Sequence, residues 1–133
     1  MDYTKYVDEM KQVDRMSCKP DFKRLKVGDI VDEDKSVKWN REYVEENRKK
    51  YDEEVKRLNT LKNKTKVDIQ NRMVRDIAKE TGTSETVAKM IYNMAYQDTI
   101  NDDYFYRYSN FADKISDLID LVSAAAVKEM KKK

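Results

Sequence analysis

The stretch "DIAKETGTSETVAKMI", residues 76–91, has the pattern of two helices that meet at a glycine. Gly82 can take the left-handed backbone conformation that ends a helix at low cost. Thr83 or Ser84 can then cap the next helix, because their hydroxyl groups accept from the free amides of a first turn. The stretch therefore predicts a helix-turn-helix with a three-residue turn.

Apolar residues at helical spacing flank this turn on both sides. Thr65 and Asp68 form a capping pair, which predicts that the first helix of the pair begins there. Its inward side chains are expected to be Met73, Val74, Ile77 and Ala78. Those of the second helix are expected to be Val87, Met90, Ile91 and Met94. The two apolar faces should pack against each other.

The N-terminal half contains two further helices by the same reasoning. Apolar residues recur three and four apart from Tyr3 to Val13, which predicts a first helix that Pro20 closes. The segment 22–39 departs from that period, and a short β-hairpin or an ordered loop around Gly28 fits it equally well. Asn40 is expected to cap a long, highly charged helix.

The C-terminal segment carries the clearest periodicity. From residue 102 to residue 130, steps of four and three are typical of a coiled-coil seam or the core of a bundle. The seam consists of Tyr104, Tyr108, Phe111, Ile115, Leu118, Val122 and Ala125. Taken together, the patterns predict a mainly α fold, a helical bundle with a helix-turn-helix and a long C-terminal helix.

Composition limits the classes of protein to which the chain can belong. Its 133 residues include 28 Lys plus Arg, 26 Asp plus Glu, two glycines and no histidine. Without histidine, and with Cys18 as its only cysteine, the chain lacks the commonest general base and the usual zinc ligands. We therefore predict a protein that is not an enzyme and has no catalytic residues, metal site or cofactor.

Length and hydropathy set the expected organisation. We expect one compact domain in which residues 1–63 hold the N-terminal helix, the extended segment and the charged helix. Residues 64–133 would hold the helix-turn-helix and the C-terminal helix. The sequence contains neither a signal peptide nor an apolar run approaching 18 residues. A cytoplasmic protein with no membrane partner is expected.

Basic residues cluster before the glycine turn. Between residues 56 and 75, seven Lys and Arg face a single acid, Asp68, a local excess of six positive charges. Such an excess can neutralise DNA phosphates. The predicted phosphate ligands are Lys62, Lys64, Lys66, Arg72 and Arg75. On the second helix of the pair, the residues expected to face the DNA are Ser84, Thr86, Lys89 and Asn93.

The segment "IAKETGTSETVAKMI" resembles the helix-turn-helix of bacterial and phage regulators. The resemblance covers about 20 residues. Many such regulators place an apolar residue six positions after the glycine of the turn. In this sequence Val87 lies five residues after Gly82, and Ala88 takes the sixth place. That spacing is more similar to the first two helices of bacterial histone-like proteins, whose β-arms this sequence lacks. The overall composition is similar to that of small phage or mobile-element proteins, and the resemblance implies nucleic-acid binding by a small regulator.

An aromatic run, "YFYRY" at residues 104–108, supports a different set of functions. Phe105 and Tyr106 lie off the heptad seam, and with Arg107 they are predicted to bind a partner protein. One alternative is therefore a non-enzymatic inhibitor of a host defence nuclease, of the anti-CRISPR type. Another is an oligomeric structural or assembly protein that forms a homodimer through the C-terminal helix.

Overall fold

The structure, a computed structural model, describes residues 2–131 and the side chains of residues 2–123. A 3₁₀ turn leads into four α-helices in the described chain: Tyr3–Tyr6, then α1 Val7–Arg15, α2 Val37–Thr81, α3 Glu85–Thr99 and α4 Tyr104–Lys131. The predicted mainly α fold is confirmed. Residues 2–131 contain no strand, and between α1 and α2 the chain forms a loop rather than a hairpin.

The chain forms two compact units. One consists of residues up to Arg15 together with those from Thr65 onward, and the other is Met16–Lys64. The sequence predicted one compact domain, described in two parts that divide after residue 63. In the structure, however, the first fifteen residues group with the C-terminal part of the chain.

Helix α2 is continuous through the position where the sequence predicted a new helix. It has 45 residues, so the prediction that Thr65 and Asp68 cap a separate helix is wrong. A cap requires non-helical backbone at the capping residue. No glycine or proline interrupts this part of the sequence, and Thr or Asp costs a helix interior less than about 1 kcal/mol. Helix α2 therefore continues through Thr65 and Asp68 to Thr81.

The start of α2 also differs from the prediction. The Ser36 hydroxyl accepts from the Trp39 amide at 3.0 Å, so the helix begins at Val37, three residues before Asn40. Val37 and Trp39 lie in its first turn rather than in the extended segment. Asn40 is not the cap. Its side chain is buried and hydrogen-bonds to the preceding loop.

The helix-turn-helix forms at the predicted place. Gly82 has a φ of +67°, and the Thr83 amide donates to the Ala78 carbonyl at 3.2 Å, which closes the end of α2. Ser84 is the cap of α3, with its hydroxyl accepting from the Val87 amide at 3.3 Å. On α2, Met73, Val74 and Ile77 are buried as predicted, and Ala78 is half-buried.

The buried face of α3 is not the one predicted from its largest apolar residues. Of the four expected inward residues, only Ile91 is buried. Val87, Met90 and Met94 are 37%, 59% and 54% exposed. The residues that α3 buries are Ala88, Ile91, Ala95 and Thr99. Helix α3 packs against α4, where Tyr92 meets Phe111 edge to face.

Helix α4 buries a face that overlaps the predicted seam only in part. Phe111 and Ile115 of the seam are buried, and the seam missed Ala112 and Ile119, which are buried as well. Tyr104 is 41% exposed. Tyr108, Leu118 and Val122 are half-buried, whereas the side chain of Ala125 lies outside the described residues. The buried face packs against α1, α3 and the N-terminal 3₁₀ turn.

The unit Met16–Lys64 holds a loop against the first half of α2 by polar contacts. Arg24 pairs with Asp52 at 3.1 Å, and the Arg48 guanidinium donates to the Leu25 carbonyl at 2.8 Å. The Leu25 amide in turn donates to Asn47 at 2.9 Å. Side chains of α2 thus make hydrogen bonds to backbone groups of the loop that would otherwise bond to water.

Candidate nucleic-acid interface

A groove runs along the surface between the end of α2 and the start of α3. We call it the α2–α3 groove, and its lining residues are Asn71, Val74, Arg75, Glu85, Thr86 and Lys89. All except Val74 are exposed. The groove therefore brings together Arg75, Thr86 and Lys89, three of the residues that the sequence predicted for nucleic-acid binding.

The cations of this groove are available to a ligand. Within residues 2–123, the side chains of Arg75 and Lys89 make no ion pair or hydrogen bond, and both are exposed. The single acid of the groove is Glu85, in the first turn of α3. Two exposed cations without a partner can bind an anion without first breaking an existing ion pair.

A second concave surface continues from the groove through Arg75 and Glu85 towards the N-terminal turn. It adds further cations: Lys5, Arg72 and Lys79. Lys79 has no charged partner among the described side chains. Arg72 pairs with Glu9 at 2.7 Å, and Lys5 pairs with Asp76 at 3.4 Å. Arg75 and Lys79 are thus the free cations on this side of α2.

Tyr6 connects the N-terminal turn to α2 beneath this surface. Its hydroxyl donates to the Asp76 carboxylate, and the Arg72 guanidinium lies 5.7 Å from the centre of its ring. Burial, the hydrogen bond to Asp76 and the charge of that carboxylate raise the pKa of Tyr6 to about 12. The neighbouring Tyr3 donates to Glu80 at 2.7 Å, and burial raises its pKa also.

The raised tyrosine pKa values predict a loss of stability in alkali. The unfolded chain loses its tyrosine protons near pH 10, whereas folded Tyr6 keeps its proton to about pH 12. The unfolded state therefore binds fewer protons, and the free energy of unfolding should fall as the pH rises from about 10 towards 12. Urea unfolding followed by circular dichroism would measure the fall. Tyr6→Phe should make the slope shallower, and an unchanged slope would contradict the assignment.

The other predicted residues of α3 lie on or near its exposed side. Thr86, Lys89 and Asn93 are spaced three and four apart, so they share one face of the helix, and all three are exposed. Ser84 is exposed as well, but its hydroxyl already caps α3. Its main contribution is to the start of the helix.

Lys66 is separated from Arg75 by the geometry of α2. Nine residues make about two and a half turns of an α-helix, so the two side chains leave opposite sides of the axis. Lys66 instead lines a cavity within the same unit, together with Arg107 of α4. Lys62 and Lys64 belong to the other unit, where the Lys62 ammonium group donates to the Met16 carbonyl at 3.3 Å.

The three residues predicted to bind a partner protein also lie in different surroundings. Phe105 and Tyr106 are 75% and 65% exposed. Arg107 is half-buried and faces the cavity that it shares with Lys66. The aromatic pair and the arginine therefore do not form one surface.

Sequence reasoning missed several residues of the concave surface. Lys5 reaches it from the other end of the chain, and no local pattern identifies such a contact. Lys79 had a usable signal, because it follows Arg75 by four residues and so shares its face of the helix. Asn71, which lines the α2–α3 groove, precedes Arg75 by the same interval.

No family model matches the chain, and comparison with curated proteins and with solved structures gave no significant match. Among the described residues, no helix combines the length and hydropathy needed to cross a membrane. The same part of the chain contains no cluster of three or more side chains suited to hold a metal ion.

Proposed function

We propose that this protein binds double-stranded DNA through the α2–α3 groove, as a small helix-turn-helix regulator. The observation that supports this most directly is the pair of unpartnered, exposed cations Arg75 and Lys89 in that groove. They lie beside Thr86 of α3, the helix that would enter the major groove. Cations at a helix-turn-helix hold phosphates, while hydroxyl and amide side chains read base edges.

The roles of the individual residues follow from their positions. Arg75, Lys79 and Lys89 would contact phosphates, because each is exposed and has no partner in the described structure. Thr86 and Asn93 would face the bases, since they share the exposed face of α3 with Lys89. Glu85 opposes the phosphate backbone and limits the affinity, unless it accepts a hydrogen bond from a cytosine amino group.

A site of this charge should bind weakly and depend strongly on salt. Three phosphate contacts give a slope of about −3 in a plot of log affinity against log salt concentration. We expect micromolar binding at low salt and a large loss at physiological salt. Fluorescence anisotropy would measure the affinity and its dependence on salt. The probes are a labelled random-sequence duplex and a single strand of the same length. An absence of duplex binding even at low salt would contradict the proposal.

A second function is favoured by the outer face of α3. Val87, Met90 and Met94 are exposed there, next to the residues proposed to contact DNA. Exposed Met and Val in a row are more typical of a surface that binds protein. In this alternative the helix-turn-helix is a scaffold, and the protein is a non-enzymatic inhibitor of a host nuclease. Copurification of one defined partner after nuclease treatment, lost in Met90→Lys, would support it.

A further inference from the structure

A cavity of about 150 Å³ lies inside the unit that contains the helix-turn-helix, on the side of α2 that carries Lys66. Helices α1 to α4 all contribute side chains to it. Its apolar lining includes Met10, Val13, Ile69 and Phe111. Its polar groups include Asp14, Lys66, Tyr92 and Arg107. The cavity therefore combines an apolar interior with two cations.

Arg107 is the unusual member of this lining. Its Nε atom is buried and has no hydrogen-bond partner within the described structure. Buried side-chain donors are nearly always paired, and leaving one unpaired is unfavourable, more so when the group is charged. The side chains around the cavity supply no acceptor to Nε, and because Nε itself is closed to solvent, a ligand in the cavity would bind the terminal nitrogens of the guanidinium group.

We propose that this cavity binds a small organic carboxylate with an apolar body about the size of one aromatic ring. A cavity of about 150 Å³ lined by apolar side chains accommodates benzene, which sets the size of the body. The guanidinium group presents parallel N–H donors that match the two oxygens of a carboxylate. Lys66, at the exposed edge of the cavity, adds a second positive charge.

Other features of the lining support this choice of ligand. Phe111 and Tyr92 meet edge to face, with ring centres 5.0 Å apart, and offer an aromatic wall. Burial raises the pKa of Tyr92 to about 12, and its hydroxyl, like that of any tyrosine, is protonated at neutral pH. Asp14 is the one acid of the lining, and its charge should weaken the binding of an anion. This inference is independent of the proposed binding of DNA.

The test is titration of the full-length protein with benzoate and, separately, with benzamide, which has nearly the same shape but no charge. Chemical shifts of the protein would report binding. We expect benzoate to bind at least tenfold more tightly than benzamide. Arg107→Gln should reduce that difference to the few-fold share that Lys66 supplies, and Asp14→Asn should tighten benzoate binding. Equal affinity for the two compounds, or no binding of benzoate at 10 mM (roughly the weakest useful affinity for so small a ligand), would overturn the proposal.

Two further variants keep the test decisive where Arg107→Gln does not fold. Lys66→Gln changes an exposed residue and should weaken benzoate binding several-fold with little effect on benzamide. Lys49→Gln removes the same charge from an exposed position of the other unit and should leave both affinities unchanged. Equal effects of these two substitutions would also overturn the proposal. Circular dichroism of each variant establishes that it is folded.

Discussion

Reversal of two charges in the α2–α3 groove, Arg75→Glu with Lys89→Glu, is expected to weaken duplex DNA binding by roughly 100-fold at low salt. Each substitution removes a phosphate contact and places a repelling carboxylate in the groove. The slope of log affinity against log salt should fall from about −3 to about −1, because only Lys79 remains of the free cations. Anisotropy titrations at several salt concentrations would measure both changes.

The control must remove the same charge from elsewhere. Lys66→Glu with Lys49→Glu changes the net charge from +2 to −2, as the groove variant does, because each of two reversals subtracts two charges from the excess of 28 bases over 26 acids. Neither residue lines the groove. A small loss in this control would show that binding depends on the groove. Equal losses in both variants would instead mean attraction by net charge alone, and retained affinity in the groove variant would contradict the proposed site.

The helix-turn-helix was predictable because its signals are local. Gly82 and Ser84 specify the turn through the conformation and hydrogen bonds of a few adjacent residues, and the structure confirms both. The continuity of α2 was harder to predict from the sequence. Thr65 and Asp68 are compatible with a cap and with a helix interior, and the difference in free energy between the two is small.

The buried face of α3 shows why periodicity alone did not place the core. Val87, Met90 and Met94 have helical spacing and large apolar side chains, so a rule based on hydropathy assigns them to the interior. The structure buries Ala88 and Ala95 instead. Which face a helix buries depends on the shape of its neighbour, and a single sequence does not contain that shape explicitly.

The α2–α3 groove and the cavity at Arg107 differ in how far local sequence patterns could predict them. Arg75, Thr86 and Lys89 come from adjacent helices of one motif, and sequence reasoning placed them on one surface. Lys66 and Arg107 are 41 positions apart in the chain, and they share a cavity only because α2 and α4 pack in the same unit. The sequence assigned these two residues to separate functions, because no local spacing relates them.

Asn40 shows how a residue predicted to cap a helix can instead hold a loop. Its side-chain oxygen accepts from the amides of Val31 and Asp32, at 2.8 and 3.0 Å. Its amide group donates to the carbonyls of Asp32 and Ser36, both at 3.0 Å. The residue is only 3% exposed. One side chain therefore fixes both ends of the turn that precedes α2.

Asn40→Ala is accordingly expected to destabilise the unit Met16–Lys64 by about 2–4 kcal/mol. A single hydrogen bond contributes about 1 kcal/mol, and removal of the side chain leaves several backbone groups without a partner. Trp39 is the only tryptophan of the chain and lies in this unit, so its fluorescence during urea unfolding would report the loss. Hydrogen exchange at the Val31 and Asp32 amides should become faster in the variant.

Two comparisons separate the loss of these hydrogen bonds from other effects. Asn40→Asp keeps the oxygen that accepts from Val31 and Asp32 but lacks the amide donor, so the slow exchange of those two amides should largely persist. Asn63→Ala changes an exposed asparagine of the same helix. It should alter the free energy of unfolding by less than about 0.7 kcal/mol, toward greater stability, because alanine is the better helix former. A midpoint for Asn40→Ala equal to that of Asn63→Ala would show that Asn40 does not hold the loop.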